Sequence, residues 1–313
     1  MKTLIPLFTL GVLLAVPSML RADIKRSVEK TFSVQPGGHL KIQTSGGDIK
    51  VSTGSGNEVK VTALQRIHTD SESKADELLK DLDLSIEQQG DDVTAVAKYE
   101  KNKIGWHWGA WPPVSVSFVV VVPSHYNVNL STSGGDIKLE SINGQARLRT
   151  SGGDLKLDRI EGEVDGGTSG GNISLTEGTA KVKLTTSGGD IRVDRAGGEA
   201  QLSTSGGDIV IKSVRDRLTA STSGGDIHAS IEGGLKGDCK LSTSGGEVVV
   251  SVDKNAAFDL DSHTSGGDVD AAGITITIEK GGLRKSYLAG KVNGGGPLLS
   301  LGSSGGDIRI RVN

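Results

Sequence analysis

The sequence predicts an all-β fold: a single-stranded parallel β-helix, or solenoid, with ~18-residue coils and one short helical insertion near its N-terminal end. Three observations predict it. TSGGD stands at 44, 132, 150, 186, 204, 222 and 264, with TSGGN at 168, TSGGE at 243 and SSGGD at 303. The motif serines from 133 to 223 recur at intervals of 18, followed by intervals of 21, 21 and 39. When the rows between Asn127 and Asp216 are stacked, apolar residues fall at positions two and four and again at eleven and thirteen, as in Val128, Leu130, Ile137 and Leu139. Apolar residues spaced by two mark strands with one buried face. A fixed period near 20 residues marks a repeat architecture, whose units close a core only by stacking. One row buries about five side chains, too few to offset the backbone entropy of ordering it.

The elements follow in order. Residues 1–22 carry a lysine, an apolar run from Leu4 to Val16 and small residues before a cut after Ala22, the layout of a secretory signal peptide. The run is short and interrupted by Pro6 and Pro17, which disfavours a retained membrane anchor, and no cysteine follows it to accept a lipid. Residues 23–313 form a single solenoid domain. Within it, 23–126 holds N-terminal coils. Residues 32–53 read as the first coil, with Leu40, Ile42, Ile49 and Val51 inward; strands are expected at 59–64, 84–87, 93–99 and 114–122. Between them DSESKADELLKDL (70–82) places Ala75, Leu78, Leu79 and Leu82 on one helical face. The regular coils span 127–272. Residues 273–313 supply a closing coil with an inserted hairpin.

Composition bounds the function. With the leader's Lys2 and Arg21 removed, 33 basic and 38 acidic side chains remain, a net charge of −5. That balance points away from nucleic acid and from anionic membranes. Cys239 is the only cysteine, so no intramolecular disulfide forms. Ten aromatic residues against 46 glycines predict a thin core of Val, Ile, Leu and Ala. The expected location is outside the cytoplasm, whether periplasmic, at the cell surface or secreted, with no transmembrane segment once the leader is removed.

Period 18 turns each motif into a column. The pairs Gly134–Gly135, Gly152–Gly153, Gly188–Gly189, Gly206–Gly207 and Gly224–Gly225 suit a corner requiring positive φ or close backbone approach. The motif Thr follows the inward alternation, with its hydroxyl bonded to a neighbouring Thr or to backbone. Asp136, Asp154, Asp190, Asp208 and Asp226 form a carboxylate column, interrupted by Asn172 and ending in Glu247. At ~4.8 Å such neighbours repel by about 3–4 kcal/mol at a surface-like dielectric, so they need N–H donors, basic neighbours or cations. Turn capping is the favoured role; a calcium ladder is the alternative. Known calcium-binding β-rolls place two Gly-rich loops in each 18 residues, whereas one occurs here. GWHWGAWPP (105–113) gathers all three tryptophans; Trp106, His107, Trp108 and Trp111 are the candidate ligand-contacting set, against the simpler role of covering one end of the core. The six histidines are scattered, without HxH or HExxH spacing, and no GxSxG elbow occurs. Cys239 falls at an inward position. No catalytic residue and no cofactor are expected.

The order of the pieces resembles the putative-adhesin family of bacterial exported β-strand-repeat proteins. FSVQPGGHLKI, VSFVVVVPSHYNVNLSTSGGDIKL, the serial TSGGDI coils and GGGPLLSLGSSGGDIRI carry the resemblance, which covers essentially the whole mature chain. It implies a β-helical fold and cell-envelope residence, and supplies no catalytic residues; the WHWGAW insertion departs from it. The expected function is a non-enzymatic adhesin-like or structural scaffold, contacting envelope glycans or another cell-surface component by weak multivalent binding. A carbohydrate-active β-helix enzyme and a calcium-stiffened structural protein are the alternatives.

Overall fold

The structure, a computed structural model, describes residues 23–99 and 113–312. Residues 1–22, where the sequence predicts a signal peptide, lie outside them. Two long sheets of 13 and 14 strands face each other across the core. Each regular coil gives one strand to each sheet. Ala146–Arg149 lies in the 14-stranded sheet and Leu155–Ile160 in the 13-stranded one, with the Gly-Gly corner between them. Pairing is parallel and in register at one lap: Ala146 opposes Val128 on one side and Val164 on the other, and Leu155 opposes Ile137 and Ile173. Every N–H and C=O of a central strand therefore finds a copy above or below it.

The inward columns are those of the stacked rows. Val128, Leu130, Ile137 and Leu139 are buried, as are Leu40, Ile42, Ile49 and Val51. Where the row at 163 has Gly166 in place of a leucine, Leu184 and Leu155 lean in, to 2.9 and 3.4 Å from where a Cβ would stand. Cys239 is buried in its column, and burial pushes its thiol pKa up, so it packs as a small apolar side chain.

Coil order departs from chain order at both ends. Coil 39–54 lies between the strands of 92–123 and those of 127–139, because His39–Thr44 pairs with both Asp92–Tyr99 and Asn127–Thr132. At the other end, Leu298–Ser303 is wedged between Cys239–Thr243 and Phe258–Thr264, and Ile308–Val312 between Val248–Val252 and Val269–Ala271. Residues 32–53 are thus the second coil from their end, and the final coil of the chain is an inner one. The arrangement leaves three of the four sheet edges to antiparallel elements, the fourth being the short parallel strand Val269–Ala271. Ile24–Ser33 and Glu58–Ile67 extend the 13-stranded sheet, Leu82–Gln89 borders the 14-stranded sheet, and the hairpin of Ile276–Arg284 and Tyr287–Val292 borders its far side.

The N-terminal end carries devices that keep open edges from recruiting other chains. Helix α1 (Glu72–Leu79) starts at Ser71, whose hydroxyl accepts the Lys74 N–H at 3.4 Å. Its Ala75 is buried, and its Leu78 and Leu79 pack on the core. Leu82 opens a strand instead of closing the helix, because LDLSIE alternates with period two and pairs with Asp92–Tyr99. Arg26 reaches from the edge strand to Glu72 at 2.8 Å and Asp76 at 2.7 Å, and Lys30 donates to the Ile86 carbonyl at 2.9 Å, tying the end strands of the two sheets together. Tyr126 is buried and donates to the Asp91 carbonyl; burial pushes its pKa up to about 12.

Ser262 interrupts one column. It is fully buried, and its hydroxyl has no partner among the described residues. Ser262→Ala is therefore expected to raise stability by about 1 kcal/mol, the cost of an unmade buried hydrogen bond, in urea unfolding. A loss of stability would mean that the hydroxyl is paired.

Candidate functional site

The repeated corner is a hydrogen-bonded column. Each motif Thr from Thr132 to Thr243 is buried and donates to the carbonyl of the second motif glycine one coil back: Thr150 to Gly135 at 2.9 Å, Thr168 to Gly153 at 2.9 Å, Thr186 to Gly171 at 2.9 Å. The second glycine then lies so close to its predecessor that a Cβ on Gly153, Gly171 or Gly189 would stand 2.1 Å from a glycine carbonyl oxygen. The first glycine has more room; a Cβ on Gly152 would come no nearer than 3.5 Å to any atom. Among the ten glycines of the five regular pairs named above, none has positive φ, so close backbone approach is what the corner demands. In the coil 39–54, second from its end, Gly47 has φ +110° as well.

The aspartates bond between coils, not within their own turn. Asp136 Oδ1 accepts the Asp154 N–H at 2.8 Å, and Asp154 does the same for Asn172 at 2.8 Å. Asn172 continues to Asp190, Asp190 to Asp208, Asp208 to Asp226 and Asp226 to Glu247, at 2.8 to 2.9 Å. An N–H donor at every rung offsets the repulsion along the column, and Asn172 serves as well as a carboxylate. Asp208→Asn is accordingly expected to leave stability unchanged, while Asp208→Ala costs about 0.5–1.5 kcal/mol; melting temperatures with EDTA and with calcium should coincide. A calcium-dependent rise that Asp208→Asn removes would instead establish a cation ladder.

The ladder changes character at Glu247. Asp226, His228 and Glu247 bring one ligand atom each within 4.8 Å of one another. Glu247 is already held by Arg309, which also reaches Asp307 at 3.0 Å, and His228 Nε2 stands 3.9 Å from the other Glu247 oxygen. These groups form a charge network around the longer side chain, with the Arg309 guanidinium already pairing Glu247.

A concavity that the alternation of the rows did not single out lies on the outer face of the 14-stranded sheet. It is a groove of about 570 Å³ spanning six coils, or about 24 Å at a strand spacing of ~4.8 Å. One rail is Asp92, His39, Asn127, Gln145, Glu163 and Lys181; the other is Thr94, Lys41, Asn129, Arg147, Asp165 and Lys183. The floor is formed at Leu40, Val128, Ala146 and Val164. These rails are positions one and three of the stacked rows, the outward partners of the inward position two, so the alternation that predicted the core also contains them. Fixed points run along the rails: Asn127 Oδ1 accepts the Gln145 N–H at 2.9 Å, Asp92 Oδ1 accepts the His39 N–H at 2.9 Å, and Arg149 holds Asp165 at 2.6 Å. Trp106, His107, Trp108 and Trp111 lie outside the described residues. Among those described, no helix is long and apolar enough to cross a membrane.

Stacked parallel strands, a Thr-Gly-Asp corner ladder and a polar outer groove define a β-solenoid repeat protein. The chain belongs to the Toastrack DUF4097 family, which it matches over residues 38–311. Among solved structures it is similar to a "putative adhesin" from Bacteroides fragilis, with 14% identity, 91% of this chain and 97% of that chain covered, and a TM-score of 0.40. It is likewise similar to a "putative lipid binding protein" from Parabacteroides distasonis, with 14% identity, coverage of 90% and 96%, and a TM-score of 0.43. A "putative cell adhesion protein" from Clostridium sporogenes shows 12% identity, coverage of 92% and 100%, and a TM-score of 0.22. These likenesses are distant and carry nothing about ligands into this chain. No curated protein matches it.

Proposed function

We propose that the protein is an exported, non-enzymatic, adhesin-like solenoid that holds an extended envelope glycan along the outer groove of its 14-stranded sheet. The groove carries the proposal. It runs across six coils, and hydrogen-bonding groups repeat along it at every coil, from His39 and Lys41 to Lys181 and Lys183. Such a surface suits a polymer bound through many individually weak contacts. The corner ladder supplies rigidity, since each coil is bonded to the next through Thr and Asp as well as through the sheets. The leader-like start of the sequence accords with export.

The test is glycan-array binding by the full chain beside two variants. Lys41→Ala/Arg147→Ala/Lys183→Ala is expected to lose about tenfold or more in apparent affinity, the contribution of a charge-assisted hydrogen bond or two. Lys138→Ala/Lys156→Ala, on the opposite sheet, should bind as the parent does. Equal binding by both variants would remove the groove from the proposal.

A further inference from the structure

Resting on that reading of the groove, we infer that its ligand is a linear acidic polysaccharide with a carboxylate on alternate sugars. The rails are not uniform. Taken by coil in spatial order, they show Asp92 and Thr94, then His39 and Lys41, then the amides Asn127 and Asn129, then Gln145 and Arg147, then the acids Glu163 and Asp165, then Lys181 and Lys183. Cations therefore stand on every second coil, about 9–10 Å apart. An extended, equatorially linked sugar chain advances by close to one coil rise per residue, so a cation meets every other sugar.

The cations have capacity for a ligand. Lys41 and Lys183 are exposed and form no ion pair among the described residues, whereas Lys181 lies 3.7 Å from Glu199. Arg147 sits 3.7 Å from Asp165, but Asp165 is held more closely by Arg149 at 2.6 Å, which leaves Arg147 with N–H donors to spare. The coils between them select against charge. Glu163 repels an anion and accepts from hydroxyls, while Asp165 is already paired with Arg149. Asn129 offers an amide suited to a hydroxyl or acetamido group, the Asn127 amide being bonded to Gln145 and Gly37. A chain with a carboxylate on every sugar, or a phosphate on every unit as in nucleic acid, would set one anion against Glu163.

Titration calorimetry with the full chain tests this using four probes of equal length. They are an octasaccharide of alternating glucuronate and N-acetylglucosamine, its carboxyl methyl ester, an oligogalacturonate and a single-stranded oligonucleotide. The alternating octasaccharide is expected to bind about tenfold tighter than each of the others, with Lys41→Gln, Arg147→Gln and Lys183→Gln each weakening it several-fold, as loss of a charge-assisted contact does. Glu163→Gln should narrow its lead over oligogalacturonate. If the methyl ester binds equally, the groove stands and the charge register falls; if oligogalacturonate or the oligonucleotide binds equally, the alternation falls. If no probe binds, the register falls, and the array experiment then decides whether the groove falls with it. If Lys138→Gln weakens binding as much as Arg147→Gln does, the site lies elsewhere.

Discussion

Gly153→Ala is expected to destabilise the protein by about 3–5 kcal/mol, while Gly152→Ala, one residue away, changes stability by less than about 1 kcal/mol. The two glycines share a corner and differ in what lies over them. A methyl on Gly153 would stand 2.1 Å from the Gly135 carbonyl oxygen and 2.4 Å from its carbon. Both are backbone atoms, so no side chain can swing away. The coil spacing would have to open, taking with it the Thr150 bond to Gly135 and the Asp154 bond to Asp136. Gly171 already sits as close to Gly153, so the strain cannot be passed upward. On Gly152 the same methyl meets its nearest atom at an ordinary 3.5 Å, and its φ lies outside the left-handed region. Reduced unfolded-state entropy can even make that substitution mildly favourable. Urea unfolding of the three proteins settles the matter, and equal losses from both substitutions would show that the corner is held by something other than coil-to-coil contact.

The repeat made this corner legible because an 18-residue period with period-two alternation leaves one way to bury the inward set. Val128, Ala146, Val164 and Val182 had to lie in one column once Thr132, Thr150, Thr168 and Thr186 did. The direction of the aspartate bond was not legible, since an Asp after two glycines serves equally for a turn within its own coil and for a rung to the next. The groove was hidden for another reason. Position-one and position-three side chains face water, their types vary from row to row, and no inward pattern constrains them. Coil order at the ends was illegible because every coil carries the same corner. A row ending in TSGGD stacks on any other with the same local bonds, and the choice between neighbours rests on contacts made by the linkers.

Those linker contacts lead to the second large effect. Leu301→Asp is expected to cost more than about 4 kcal/mol, as a buried unpaired carboxylate does, although Leu301 stands near the end of the chain, where fraying would ordinarily absorb the change. Leu301 is fully buried between Leu241 and Ser262, so its strand is paired on both edges. Expelling that coil would leave Phe258–Thr264 to restack directly on Cys239–Thr243. The shared corner motif permits this, but the linkers oppose it. Asn293 bonds the Lys254 and Ala256 carbonyls, the Asp259 N–H reaches Pro297, Gly296 bonds Asp259, and Leu298 donates to Asp238 at 2.9 Å. All of these hold the last coil in the second place. In the parent protein, amides of 299–302 should exchange with solvent as slowly as those of the mid-array strand Leu218–Ser221, and Leu301→Asp should speed exchange across 258–264 as well as 298–303. Fast exchange confined to 298–312, with 258–264 still protected, would mean that the final coil merely rests on the end of the stack.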